Sequence, residues 1–381
     1  MKNWPCRLKI YLLRHLRRMF MFHKALWMRN WKQGKYVVLL FWLSSLYLLP
    51  YGYYKAAQLE FHLSKAKIND HIYYYSYYFD TFDTLFKQGI IISILACLLI
   101  GWERNNQSTD FLFSMPFKRK NIFLTKWLFG VLHIIIVHII CWLAMYGIKH
   151  LSFHNEYQTF TPFHSYFLYA TVVLIAIYTF TLFIGTITGN IFAQSSLTAI
   201  LLFLPYGLSL LISGFIYTHT QGAVEALREI ESQTHTYLRH MSIVSPLEPF
   251  SINYDYHPIE IFDDEGNKVS SVQQNNPIEY ISIPSLWTLL TPLAYMIIFL
   301  SMAVVLYTYS PNEQNGKILL FPNLQKWFVL CTVLCFGLLG GRILGGRDAL
   351  LSYYIGFLLA AIISYVLFTR LLKWKFFLNG K

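Results

Sequence analysis

Ionisable or thiol side chains inside long apolar runs are the first places to look for chemistry, because a charge at bilayer depth is costly unless it has a partner or a task. This chain of 381 residues offers few. Asp83 and Lys87 stand four apart at the start of an apolar run. That spacing lets them pair on one helix face and snorkel to an interface. His133 and His138 are five apart and so point in different directions. They read as hydrogen-bonding groups inside a bundle rather than as a joint metal site. Arg342 and Arg347 flank glycines at the end of another run, as interfacial anchors or as contacts for an anionic substrate or headgroup. Cys331 and Cys335 share a face, but with no His or further Cys beside them they read as small apolar core residues. Of the five cysteines, one lies in a basic N-terminal segment and four lie in apolar runs, which gives no disulfide framework. There is no Gly-rich phosphate loop ending in Gly-Lys-Ser/Thr, no His-Glu-x-x-His and no Gly-x-Ser-x-Gly. The reading is a chain that is not itself an enzyme, with no nucleotide site, cofactor or metal of its own.

The elements that hold these residues are set by composition. Hydrophobic residues make up 55% of the chain and charged ones 13%, against about 25% charged in a soluble domain. Lipid rather than water is the expected solvent. Eight runs approach the ~20 apolar residues that a spanning helix needs. They are Tyr36–Tyr54, Thr84–Trp102, Trp127–Ile148, Ser165–Gly189, Leu197–Thr218, Leu286–Tyr307, Trp327–Leu344 and Leu350–Phe368. The last two are separated by a very short loop and read either as two full spans or as a tight hairpin. Gly337, Gly341 and Gly345 place small residues every four positions, which permits close helix packing. The expected fold is an all-α polytopic transmembrane bundle of about eight helices. It divides into residues 1–35, an interfacial helix; 36–218, the first five spans; 219–285, an outer segment; and 286–381, three spans and a basic tail. The first run follows a basic segment of about 35 residues and no small-residue cleavage site follows it, unlike a signal peptide.

Lysine and arginine set the orientation. With the N-terminus inside, the inner segments carry 21 of the 31 basic residues, whereas segment 219–285 alone carries ten acids. Both termini are then cytoplasmic in a cell membrane. The net charge of +12 sits on the inner face, where it suits anionic lipid rather than nucleic acid. Leu8, Leu12, Leu16 and Met19 share a helix face, with Arg14, Arg17 and Arg18 among the charges beside it. This is a basic amphipathic helix for the inner membrane surface, a topology anchor, or both. In the outer segment, Val224, Leu227, Ile230 and Leu238 suggest an amphipathic helix. Ile259–Phe262 and Lys268–Val272 flank Asp263-Asp264-Glu265-Gly266-Asn267 and read as a hairpin.

The inner loop 103–126 is the most informative stretch. Phe111, Phe113, Met115 and Phe117 are bulky apolar residues in a cytoplasmic loop, and Pro116 is followed closely by Lys118, Arg119 and Lys120. Such residues fit a groove on a soluble partner, or else lie back on lipid. From Glu103 to Lys126 the chain resembles the "E…fL.slP.sR..i…K" segment of type-2 ABC transporter permeases. Ser310 to Lys317, with Phe336 to Gly341 after it, is similar to Ytr-like permeases of Gram-positive bacteria, although Pro311 and Asn312 separate Ser310 from Glu313. The resemblance implies that 103–126 holds a coupling helix docking on a separate ATP-binding subunit, which carries the ATP. It also implies an elbow-like N-terminal helix, a second permease chain in a homo- or heterodimer, and export. The competing reading is a membrane-integral envelope enzyme or scaffold acting on a lipid-linked substrate.

Overall fold

The computed structural model describes residues 23–65, 75–219, 240–256, 258–262, 268–273, 278–345 and 350–373. Eight helices in it are long and apolar enough to cross a membrane. In chain order they are α1 (Lys24–Lys65), α2 (Thr81–Asn105), α3 (Arg119–Leu151), α4 (Thr161–Ile187), α5 (Ile191–His219), α6 (Leu286–Thr308), α7 (Pro322–Leu344) and α8 (Leu350–Leu371). Each apolar run of the sequence falls on one of them, and the chain is a multi-pass membrane protein. The last two runs are two separate helices. Residues 24–35, assigned by sequence to an interfacial helix, continue directly into α1. Arg14, Arg17, Arg18, Arg347 and the 224–238 pattern lie outside the described residues.

α4 is the centre of the bundle. Tyr166, Val173, Tyr178, Leu182 and Ile184, on all sides of it, are buried. Its threonines add no unmet polar group, because Thr171, Thr179 and Thr181 donate to carbonyls one turn back, at 2.6–2.8 Å. Two helices contain π turns. In α1 the turn Tyr47–Tyr51 absorbs Pro50, which cannot donate to the helix ladder. In α2 the turn Leu98–Trp102 comes just before Glu103. Side chains meet carbonyls of this turn: Lys126 Nζ donates to Leu99 O at 2.6 Å and Gln33 Nε2 to Leu98 O at 2.5 Å. In a bilayer such carbonyls need a protein donor.

α7 and α8 form the closest helix pair. Rings of α8 lie on the glycines picked out by spacing: a Cβ on Gly337 would stand 2.8 Å from Phe357, and one on Gly341 2.7 Å from Tyr353. The backbones themselves meet at Gly340 and Gly356, where a Cβ on either would overlap the other's carbonyl. Gly356→Leu should therefore cost about 1–3 kcal/mol through forced displacement of the pair, read as a lower thermal midpoint of the purified protein. Cys331 lies on the exposed face of α7, not in a core. Arg342 donates to Leu210 O and so ties α7 to α5.

To the helix bundle the structure adds a sheet at the end opposite the Lys/Arg-rich loops. β1 (Ser76–Phe79), β2 (Ser251–Asp255) and β5 (Ile278–Ser282) form an antiparallel sheet in the order β1-β2-β5. Tyr77 pairs with Tyr254, and Ile252 with Ile281. β3 (Pro258–Phe262) and β4 (Lys268–Gln273) form the hairpin read from the sequence, with Ile259 opposite Val272. Tyr75, Tyr77 and Phe79 alternate inward, and Phe79 meets Tyr166 of α4 edge-on at 4.8 Å.

Candidate functional site

The basic end is built from three connections. The first joins α2 to α3 and holds a short helix, Ser108–Ser114, entered through Gln107 in the left-handed region at φ 55°. The second is the turn after α4. The third is the segment 309–321 between α6 and α7. The second and third lock together: Gly189 N donates to Lys317 O at 3.0 Å, Gly316 N to Gly189 O at 2.8 Å, and Leu320 N to Ile187 O at 2.9 Å. Gly189 has no room for a side chain, because a Cβ would strike Lys317 O. Asn315 Nδ2 then donates to Thr109 Oγ1 at 3.0 Å, which joins the third connection to the short helix.

The residues predicted to couple to a partner divide into two groups. Phe111, 66% exposed, faces away from the bundle, and Pro116, Lys118 and Lys120 are exposed with it. Phe113, Met115 and Phe117 are half-buried against the core. Phe113 lies under the Arg119 guanidinium, 4.1 Å from the ring centre, and edge-on to Tyr307 at 5.5 Å. Arg119 also donates to Thr308 O and Ser310 O, both at 3.1 Å, at the C-terminal end of α6 where a cation is favoured. This half of the loop fixes the helix in place and leaves Phe111 and the two lysines presented.

Beneath the short helix lies a buried charge cluster that spacing alone did not reveal. Glu103, Arg104 and Lys126 are each at most 2% exposed. Glu103 Oε1 stands 2.8 Å from Lys126 Nζ and 3.3 Å from Arg29 Nη2. Arg104 Nη2 reaches Thr186 O at 3.4 Å. One carboxylate therefore joins α1, α2 and α3, and the neighbouring guanidinium reaches α4. The backbone entering and leaving loop 103–126 is anchored at both ends, Glu103 and Lys126. The available signal was an acid and an arginine side by side at the end of an apolar run.

Of the other singled-out groups, His133 departs from the expectation of a hydrogen-bonding role: both its ring nitrogens are buried without a hydrogen-bond partner among the described residues, and its contacts are aromatic rings. Asp83 and Lys87 pair as expected. His133 sits beside the indoles of Trp27, Trp31 and Trp42, while His138 faces Thr171 on α4. At the sheet end a polar ring that was not anticipated closes on itself. His154 Nε2 donates to Tyr53 O at 3.1 Å, so its Nδ1 accepts from the Tyr75 hydroxyl at 2.5 Å. Gln158 Nε2 donates to that hydroxyl's oxygen, and Tyr53 donates to Gln158 Oε1 at 2.7 Å. Burial lowers the His154 imidazole from its ordinary 6.5 to about 4 and raises the Tyr75 phenol. A histidine whose folded pKa is depressed contributes stability above pH 6.5 and loses it as the pH falls toward 4. Lowering pH from 7 to 4.5 should thus remove up to about 3 kcal/mol, seen as a falling thermal midpoint. His154→Gln should start lower and respond less to pH.

Residues 71–234 match the model of a family described as ABC-2 family transporter protein. That region holds α2 to α5 and loop 103–126 with three of the four clustered charges. The chain is 26% identical over 366 residues to the probable ABC transporter permease YtrC of Bacillus subtilis (strain 168), covering 91% of this chain and 93% of that one. It is 25% identical over 279 residues to the probable ABC transporter permease YtrD of the same organism, covering 72% and 74%. The family resemblance drawn from loop 103–126 is thus borne out: the chain is similar to ABC transporter permeases over most of its length.

Proposed function

We propose that this chain is the membrane-spanning subunit of an ABC exporter, moved by a separate ATP-binding subunit that docks on the basic end. The observation that carries the reading is the division of loop 103–126. Its ends are pinned by buried charges to three helices, and its short helix presents Phe111, Pro116, Lys118 and Lys120 on a firmly held base. A lever that transmits force needs a stiff mounting and an exposed contact, and this loop has both. ATP stays on the partner. A second permease chain completes the transporter. α5, with Ile200, Phe203, Leu210 and Phe215 exposed, offers apolar surface for it. Arg14, Arg17 and Arg18 rest on anionic headgroups of the inner leaflet.

In this reading the basic end, with both termini, is cytoplasmic and the sheet end is outside. In a background without native cysteines, a cysteine at exposed Glu156 should react with an impermeant reagent applied to intact cells, and one at exposed Ser114 only after lysis. The reverse pattern would invert the orientation. The function itself is tested by whether the tagged chain retains an ATP-binding subunit through purification, and whether loss of loop 103–126 releases it.

A further inference from the structure

A groove of about 630 Å³ runs between α2 and α5, with Ile177 of α4 in its wall. Phe86, Ile90 and Ile94 of α2 and Phe192 and Phe203 of α5 line it and are each 42–59% exposed, so it opens on the lipid-facing surface of the bundle. Its α5 wall runs from Ile191 to Phe203, about 18 Å. That is a little more than half of the ~30 Å hydrocarbon core, the depth of one leaflet. The rings of Phe86 and Phe203, 6.2 Å apart, flank the mouth nearer the sheet end.

Beyond that mouth stands a cation. Leu210 follows Phe203 on the same face of α5, about 10 Å further along the helix. A Cβ on Gly207, between them, would meet nothing within 4 Å, so the stretch is open. Arg342 of α7 crosses α5 here. Its stem lies on Gly214, where a Cβ would stand 2.8 Å from Arg342 Cδ, and its Nη1 donates to Leu210 O. A guanidinium has five N–H groups, and this side chain is exposed. Among the described residues no carboxylate forms an ion pair with it. Glu248, the acid near this part of α5, accepts instead from the Tyr206 hydroxyl at 3.3 Å. A cation held at the lipid-facing surface of a span calls for an anion at the same depth.

We propose that this mouth binds an anionic phospholipid, with its phosphate on the Arg342 guanidinium and an acyl chain in the α2–α5 groove. The planar fork of arginine matches two phosphate oxygens, and its contact with Leu210 O holds the fork in place. The ~10 Å from Leu210 to the mouth is comparable with the ~5–8 Å of headgroup layer on each side of the hydrocarbon core, so a phosphate on Arg342 sets the start of the chain at Phe203. Phe203 also belongs to the surface that α5 offers a second permease chain, and the lipid fills the groove beside that contact. Lipid binding of this kind needs neither ATP nor the ATP-binding subunit.

The test uses the full chain purified in detergent, with dimyristoyl phosphatidylglycerol as the probe and phosphatidylcholine of the same chain length as the comparison. Native mass spectrometry counts the bound lipid, and the thermal midpoint follows its effect. Phosphatidylglycerol should bind saturably and raise the midpoint, with phosphatidylcholine needing roughly ten times more. Arg342→Gln should weaken phosphatidylglycerol about tenfold and abolish its advantage. Arg342→Lys, which keeps the charge and loses the fork, should fall between the two. Ala199→Trp, at an exposed position in the groove about 16 Å along α5 from Leu210, should weaken both lipids with the cation intact. Inorganic phosphate should not reproduce the stabilisation. Equal binding of the two lipids, unchanged in Arg342→Gln, would mean ordinary surrounding lipid and overturn the proposal. Undiminished binding in Ala199→Trp would overturn it by taking the chain out of the groove. Stabilisation by inorganic phosphate, lost in Arg342→Gln, would replace it with a simple anion site.

Discussion

Glu103→Gln is expected to be the most damaging single substitution in this chain. The Glu103 carboxylate stands 2.8 Å from Lys126 Nζ and 3.3 Å from Arg29 Nη2, with Arg104 next to it in sequence and equally buried. Asp110 and Glu313, the other acids at this end, are exposed and cannot substitute for it. Removing one partner of a buried pair leaves the other charge uncompensated, which typically costs about 3–5 kcal/mol. The loss should appear as poor membrane yield and a thermal midpoint lowered well beyond that of Gly356→Leu. Lys126→Met alone should cost less, because Glu103 retains Arg29. Combining it with Glu103→Gln should recover part of the loss, because the double change removes the stranded ammonium. An unaltered midpoint in Glu103→Gln would show that the cluster does not hold the loop.

How much of this was legible in the sequence differs from element to element. The spanning helices were, since a bilayer demands an apolar run of fixed length and leaves its mark residue by residue. The β3–β4 hairpin was also readable, because a polar turn between two short apolar runs is a local signal. The sheet was not. β1 pairs with β2, whose residues follow some 170 positions later, and no local pattern states such a partner. The alternation of Tyr75, Tyr77 and Phe79 has the period of a strand, but in a chain this rich in aromatics it does not stand out. At the basic end, the importance of 103–126 came from apolar residues where lipid does not require them. The sequence could not tell which of them turn inward. Phe113 is held by Arg119 and Tyr307, and Tyr307 comes from a helix nearly 200 residues away. The junction of Glu103 with Arg29 and Lys126 is equally non-local.

That inward turn changes what a test of coupling must target. Replacing Phe113 or Phe117 by alanine would disturb packing within the chain as well as any docking surface. Phe111 separates the two, since at 66% exposure it supports little of the fold. Phe111→Ala should leave the thermal midpoint of the isolated permease within about 0.5 kcal/mol of wild type. If its ring is a docking anchor, truncation should weaken association with the ATP-binding subunit by about 2 kcal/mol, roughly thirtyfold, and reduce coupled ATP hydrolysis with it. Lys118→Glu with Lys120→Glu, both exposed, should act differently. Rim charges govern encounter, so the pair should slow association and lessen its dependence on salt, with a smaller effect on dissociation. Phe113→Ala is the internal comparison: it should lower the midpoint of the isolated permease, whereas Phe111→Ala should not. Undiminished retention of the ATP-binding subunit and normal hydrolysis in Phe111→Ala would remove Phe111 from the docking surface. If Lys118→Glu with Lys120→Glu were equally silent, the contact would have to be sought elsewhere on the basic end, at exposed Tyr309 and Glu313 among other positions.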